Sequence, residues 1–151
     1  MKRDDFISQM NDNLKLVRTE YGLNQDKMAV CIGISKKTLV EIEKGRSSLG
    51  WSGAVTLATI FSESTVLQNS YGGDMSDMLK ALAFENTKIK YPKTMGGKIW
   101  WRECKSGKGW KIQQNYISQH YRLLTSDDRH VCSSFDYDTV LNAVAMLENR
   151  K

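Results

Sequence analysis

The 151-residue sequence has one proline (Pro92), two histidines, three cysteines and no long uninterrupted apolar run. A membrane-spanning helix needs roughly 18 or more consecutive apolar residues, so no membrane role is expected. The N-terminal stretch MKRDDFISQM has no apolar core of the kind a signal peptide carries, which places the chain in the cytoplasm as an expectation. Cys31, Cys104 and Cys132 are an odd, scattered set without an export signal, so they are expected to be reduced thiols acting as small buried hydrophobes. Together with His120 and His130 they form no Cys-x-x-Cys or His-x3-His pair, and neither a metal site nor a cofactor is expected. A Gly-rich phosphate loop and a nucleophile elbow are also missing. Asp127 and Asp128 sit beside Ser126 in an expected turn, and His120 and His130 flank that hairpin, where they could approach across it without a nearby nucleophile. An enzyme is therefore not expected.

What remains is an ordinary globular composition, 40% hydrophobic and 26% charged, long enough for one domain or two small ones. The formal net charge of +5 suits a polyanionic partner. It is unevenly spread. Residues 1–62 carry nine Lys/Arg against seven Asp/Glu, whereas residues 86–112 carry eight Lys/Arg against Glu103 alone.

Periodicity divides the chain. Phe6, Met10, Leu14, Val17 and Tyr21 recur at helical spacing, forming one stripe of a helix that Gly22 ends. Asn24 is a suitable N-cap for a helix over 25–32, Gly33 for a tight turn, and Ser35 for a third helix that runs to Lys44 and stops at Gly45. Ala54, Val55, Leu57, Ala58, Ile60 and Phe61 predict a fourth helix, after which SESTVLQNSYGGD loosens the pattern. Asp74 can cap a fifth, over about 75–85, with Met78, Leu79 and Leu82 on one side, before an extended linker around Pro92. Strands are predicted at 98–104, 110–115, 118–125 and 130–135, with KSGKG and SDDR as hairpin turns. A closing helix starts at Asp136 or Asp138 and buries Val140, Val144 and Leu147. The expected class is α+β: an all-α bundle over 1–72, a helix and linker over 73–97, and a small antiparallel sheet with a helix over 98–151.

The segment Leu23 to Gly45 carries the most information. Two helices joined by a very tight turn can cross closely if the first offers a small residue, and Ala29 fills that place. Gly33 can take a positive φ in the turn, Ile34 plugs the gap beneath, and Leu39 and Ile42 face inward together. Lys36, Lys37, Val40 and Glu41 are thereby turned outward. Long polar side chains near a helix N-terminus are what reading base edges in a major groove requires. The same pattern also fits a plain helical hairpin.

On these residues, with Arg18, Gln25 and the Glu43-Lys44-Gly45 ending, residues about 10–68 resemble the Cro and phage-repressor type helix-turn-helix family, also called the xenobiotic-response-element family, which has a lambda-repressor-like fold. The resemblance implies double-stranded DNA as partner, with Lys36, Lys37 and Glu41 facing bases and Asn24, Gln25, Ser35, Thr38 and Arg46 near phosphates. It implies an Arg18–Glu43 pair tying the first helix to the reading helix. It also implies a homodimer on a palindromic operator, and so a transcriptional regulator, most simply a repressor. The first domain's charge of +2 and Asp26 beside Gln25 point to modest affinity per monomer.

The C-terminal part interleaves lysines with Tyr91, Trp100, Trp101, Trp110, Tyr116 and Tyr121. Adjacent Trp100 and Trp101 must point to opposite sides of a strand. Trp100, Trp101 and Trp110 are candidates for a pocket that takes a small-molecule or peptide effector, or for an interface. Second-site DNA contact and a solvated lysine face over an aromatic core are the competing readings. The alternative for the whole chain is a protein-interaction module, such as an antitoxin or adaptor.

Overall fold

A computed structural model describes residues 1–90, 93 and 100–150. The fold is α+β, with helices first and then a four-stranded antiparallel sheet and a C-terminal helix. The chain forms two compact units divided after Lys90. The expected linker over 86–97, its Pro92, and the first two residues of the expected 98–104 strand lie largely or wholly outside the described residues.

The helical unit contains α1 (Arg3–Glu20), α2 (Gln25–Ile32), α3 (Lys36–Glu43), α4 (Gly50–Ile60), α5 (Thr65–Tyr71) and α6 (Ser76–Ala83). Phe6, Met10, Leu14 and Val17 of α1 are buried as one stripe and meet Met28, Ala29, Ile32, Leu39, Ile42, Ala54, Leu57 and Leu67 in a single core. Tyr21 departs from the stripe, because α1 ends before it. The residue is exposed, with its ring edge against Phe61 at 4.8 Å. Ile60 is exposed too, and the buried residue at that end of α4 is Phe61.

Helix α5 falls where the apolar pattern loosens. It has one buried side chain, Leu67, and its first turn is held by capping. Ser64 accepts from the Leu67 amide, and the Glu20 carboxylate at the end of α1 accepts from the Ser64 hydroxyl, the Thr65 amide and the Thr65 hydroxyl. Those hydrogen bonds, from Ser64 first and then Thr65, hold the Glu20 carboxyl below its ordinary range. Leu82 of α6 and Met75, the residue before it, join the same core, so this helix, expected with the linker over 73–97, belongs to the helical unit. Asp74 accepts from the Ser76 amide at its start.

The second unit comprises β1 (Trp101–Gly107), β2 (Trp110–Asn115), β3 (Tyr121–Thr125), β4 (His130–Ser134) and α7 (Tyr137–Glu148), with the strands in sequence order. Strand β1 extends to Gly107, past the expected end at residue 104, because a bulge between Glu103 and Lys105 lets pairing with β2 continue. Strand β3 starts three residues later than expected. Asn115 accepts from the amides of Ile117 and Ser118, and Gln119 takes a φ of 65°, so residues 116–119 form the turn. Asp136 caps α7, whose Val140 and Val144 pack on Trp110, Ile112 and Leu123 across one face of the sheet. The other face carries Lys111, Gln113, Arg122 and Leu124, of which Leu124 is buried and the rest half-buried.

Candidate nucleic-acid interface

The turn between α2 and α3 is three residues long. Gly33 adopts φ 81°, where a Cβ would be strained, and its amide and that of Ile34 both close on the Ala29 carbonyl at 2.9 and 3.0 Å. Ile34 packs against the core beneath the turn. Asn24 and Ser35 cap the two helices, accepting from the amides of Lys27 and Thr38 at 2.8 and 3.1 Å. Leu39 and Ile42 are buried, which fixes the rotation of α3 about its own axis.

A polar clamp fixes its other end. The Arg18 guanidinium donates to both oxygens of Glu43, at 2.6 and 3.3 Å, and to the Leu23 carbonyl at 3.1 Å. Gln25 donates to the second Glu43 oxygen at 2.8 Å. The Arg18 and Glu43 side chains are only 15% and 6% exposed. Burial by itself would raise the Glu43 carboxyl, but the hydrogen bonds from Arg18 and Gln25, with the Arg18 and Lys15 charges, hold it below its ordinary value of 4.5. Helices α1, α2 and α3 therefore meet at one carboxylate. Gln25, for which the resemblance implies a phosphate contact, is accordingly a clamp residue with one amide proton committed to Glu43.

With α3 oriented in this way, Lys36 and Lys37 are exposed at its N-terminal end and Thr38 is half-exposed beside them. Lys36 reaches Asp26 of α2 at 3.1 Å, an ion pair exposed on both sides. Such a pair contributes about 0 to 1 kcal/mol and yields readily to a stronger anion. Glu41 and Val40 are only half-exposed, which is less open than the sequence suggested, and the Glu41 carboxylate lies 4.0 Å from exposed Arg46. Lys36, Lys37, Ser35, Asn24 and Arg46 are all exposed, in or flanking α2 and α3.

In the second unit the three tryptophans have different environments. Trp110 is core, 6% exposed, and donates to Glu148 at 2.9 Å, so it is not a surface for an effector or partner. Its place follows from the pleat, which sets Trp110, Ile112 and Gln114 on the α7 side. Trp101 lies on the face opposite α7 beneath the Arg122 guanidinium, 3.7 Å from the ring centre, and Arg122 also donates to Gln113 at 3.0 and 2.8 Å. These residues line a concavity of about 550 Å³ with Lys111, Leu124, Asp128 and His130. Trp100 is 44% exposed.

The two histidines do not approach each other. His120 precedes β3 and packs against Trp101 and Phe135, whereas His130 pairs near Leu124 at the opposite end of the hairpin. Nor are the cysteines all buried: Cys31 is exposed and the other two are half-buried. No group of three or more metal-ligating side chains occurs among the described residues. Half of the eight Lys/Arg in residues 86–112 also precede the first strand in sequence. Residues 100–150 hold seven Lys/Arg and six Asp/Glu, and Lys88, Lys90, Lys93 and Lys98 precede it.

Comparison of the chain with family models, with curated proteins and with solved structures found no match.

Proposed function

We propose that the helical unit binds double-stranded DNA by placing α3 in the major groove, and that the protein is a dimeric transcriptional regulator of the Cro and phage-repressor type, most simply a repressor. The observation that carries this reading is the split on α3. Leu39 and Ile42 are buried and Glu43 is clamped, while Lys36 and Lys37 stand exposed at the N-terminal end. Lysines there reach guanine acceptors, and the capped helix start presents amides to phosphate. Asn24 and Arg46 flank the groove walls. Two such units on a palindrome would set their reading helices about 34 Å apart. The concavity over Trp101 and Arg122 is the place for an effector.

Selection of bound fragments from random DNA, followed by a salt series on the winner, tests the reading. Enrichment of a palindrome is expected, with affinity falling steeply as salt rises because each neutralised phosphate releases counterions. Lys36→Ala with Lys37→Ala should erase the sequence preference, each lost base contact weakening the preferred site by about 1 to 3 kcal/mol, with an unchanged circular dichroism spectrum. Absence of any enriched sequence would decide for the interaction-module alternative, which the exposed apolar side chains of the sheet unit favour.

A further inference from the structure

We propose that one end of the sheet, presenting Trp100, Tyr116, Ile117 and Phe135, is the surface through which two copies of this chain pair. These residues come from three separate stretches and meet because the strands run antiparallel. Trp101 pairs with Asn115 and Tyr121 with Ser134, so the start of β1, the β2–β3 turn and the residue after β4 share one end. The Tyr116 amide donates to the Trp100 carbonyl at 2.9 Å, and the His120 ring bridges Trp101 and Phe135 at 4.9 and 5.8 Å. The four side chains are 44%, 54%, 75% and 77% exposed.

Scattered single apolar residues are normal on a surface, but a contiguous group is a mark of association. Aromatic side chains carry about 150 to 250 Å² each, so this group presents on the order of 500 Å² per copy and roughly 1,000 Å² in a facing pair, the threshold for a specific interface. Charge selects the occupant. Residues 115–121 and 131–135 contain no Lys, Arg, Asp or Glu, which disfavours a nucleic acid there. On the α7 side of that end the rim is polarised: exposed Arg102, which also donates to Gln114, lies at β1, and exposed Asp136 and Asp138 lie beyond β4, while exposed Glu103 belongs to the opposite face with Trp101. A two-fold axis that reverses the strand order opposes each copy's basic rim to the other's acidic rim, the self-complementarity an isologous pair requires.

The inference deepens the dimeric reading above and rests on it for its purpose, so mass and DNA selection are measured separately. Sedimentation of the full chain without DNA should give twice 17.2 kDa. Ile117→Lys with Phe135→Lys should return it to the single-chain mass with an unchanged circular dichroism spectrum, while Met146→Lys, on exposed helix surface, should leave the pair intact. If the double variant does not fold, Arg102→Glu alone should weaken pairing, and adding Asp138→Arg should restore it. A wild-type chain that sediments as one copy, or a folded double variant that still pairs, overturns the interface. A paired chain that selects no DNA sequence overturns the DNA reading alone.

Discussion

Glu43 holds α3 to the rest of the helical unit, and the consequences of removing it follow from what it neutralises. Glu43→Ala would leave the Arg18 guanidinium 15% exposed with the Leu23 carbonyl as its remaining partner, and Gln25 without its acceptor. Breaking one side of a buried pair costs about 3 to 5 kcal/mol, far more than the exposed Lys36–Asp26 pair can contribute. Urea unfolding should show that loss, whereas Asp26→Ala should move the midpoint little. The pH dependence has a definite sign. In the folded state the Glu43 carboxyl lies below its ordinary 4.5, so between the two values the unfolded chain binds more protons. The stabilisation is complete above the unfolded value and is lost as pH falls through the folded one. Glu20, lowered by Ser64 and Thr65, acts in the same direction. Titrating the unfolding midpoint from about pH 7 to 3 should therefore show a fall in the wild type and a shallower one in Glu43→Gln.

Among the elements, the β1–β2 hairpin depends on a close approach. A Cβ on Gly107 would lie 2.5 Å from two ring carbons of Trp110, and that ring is held between the core and Glu148. Overpacking of this kind costs about 1 to 3 kcal/mol. Gly107→Ala should lower the thermal midpoint of the sheet unit and shift its tryptophan emission, while helical ellipticity from the first unit persists. The hairpin also illustrates which elements can be read from sequence. Helices α1 to α4, the hydrophobic stripe of α7 and the caps at Asn24, Ser35 and Asp136 are legible because periodic burial and capping chemistry act locally. Helix α5 is hard to read from sequence because it is short, sets only Leu67 fully into the core with Val66 and Tyr71 beside it, and has its first turn held by Glu20, 45 residues before Thr65. The β1 bulge and the shortened β3 depend on pairing partners and side-chain turns that local alternation does not report. The same limit applies to the candidate site. The outward lysines follow from the spacing of Leu39 and Ile42, whereas the capture of Gln25 by Glu43 and of Lys36 by Asp26 required α2 and α3 to be placed side by side.

At the scale of the whole chain, the two hydrophobic cores share no residue among the described ones: one runs from Phe6 to Leu82 and the other from Trp110 to Val144. The lysines expected to read DNA belong to the first unit, and the apolar end expected to pair two copies belongs to the second. That separation has a measurable consequence, because a palindrome bound by a linked pair gains from the high effective concentration of the second unit. A fragment of residues 1–90 keeps its core, the Arg18–Glu43 clamp and the exposed face of α3, so it should fold cooperatively and enrich the same half-site as the full chain. Lacking the sheet unit, it should sediment as a single copy and bind the full palindrome about 10² to 10⁴ times more weakly than the intact protein. Titration of a fluorescent palindrome with both proteins at one salt concentration measures the ratio. Equal affinities would mean that pairing resides in the helical unit, and loss of half-site preference in a folded fragment would remove α3 as the reading element.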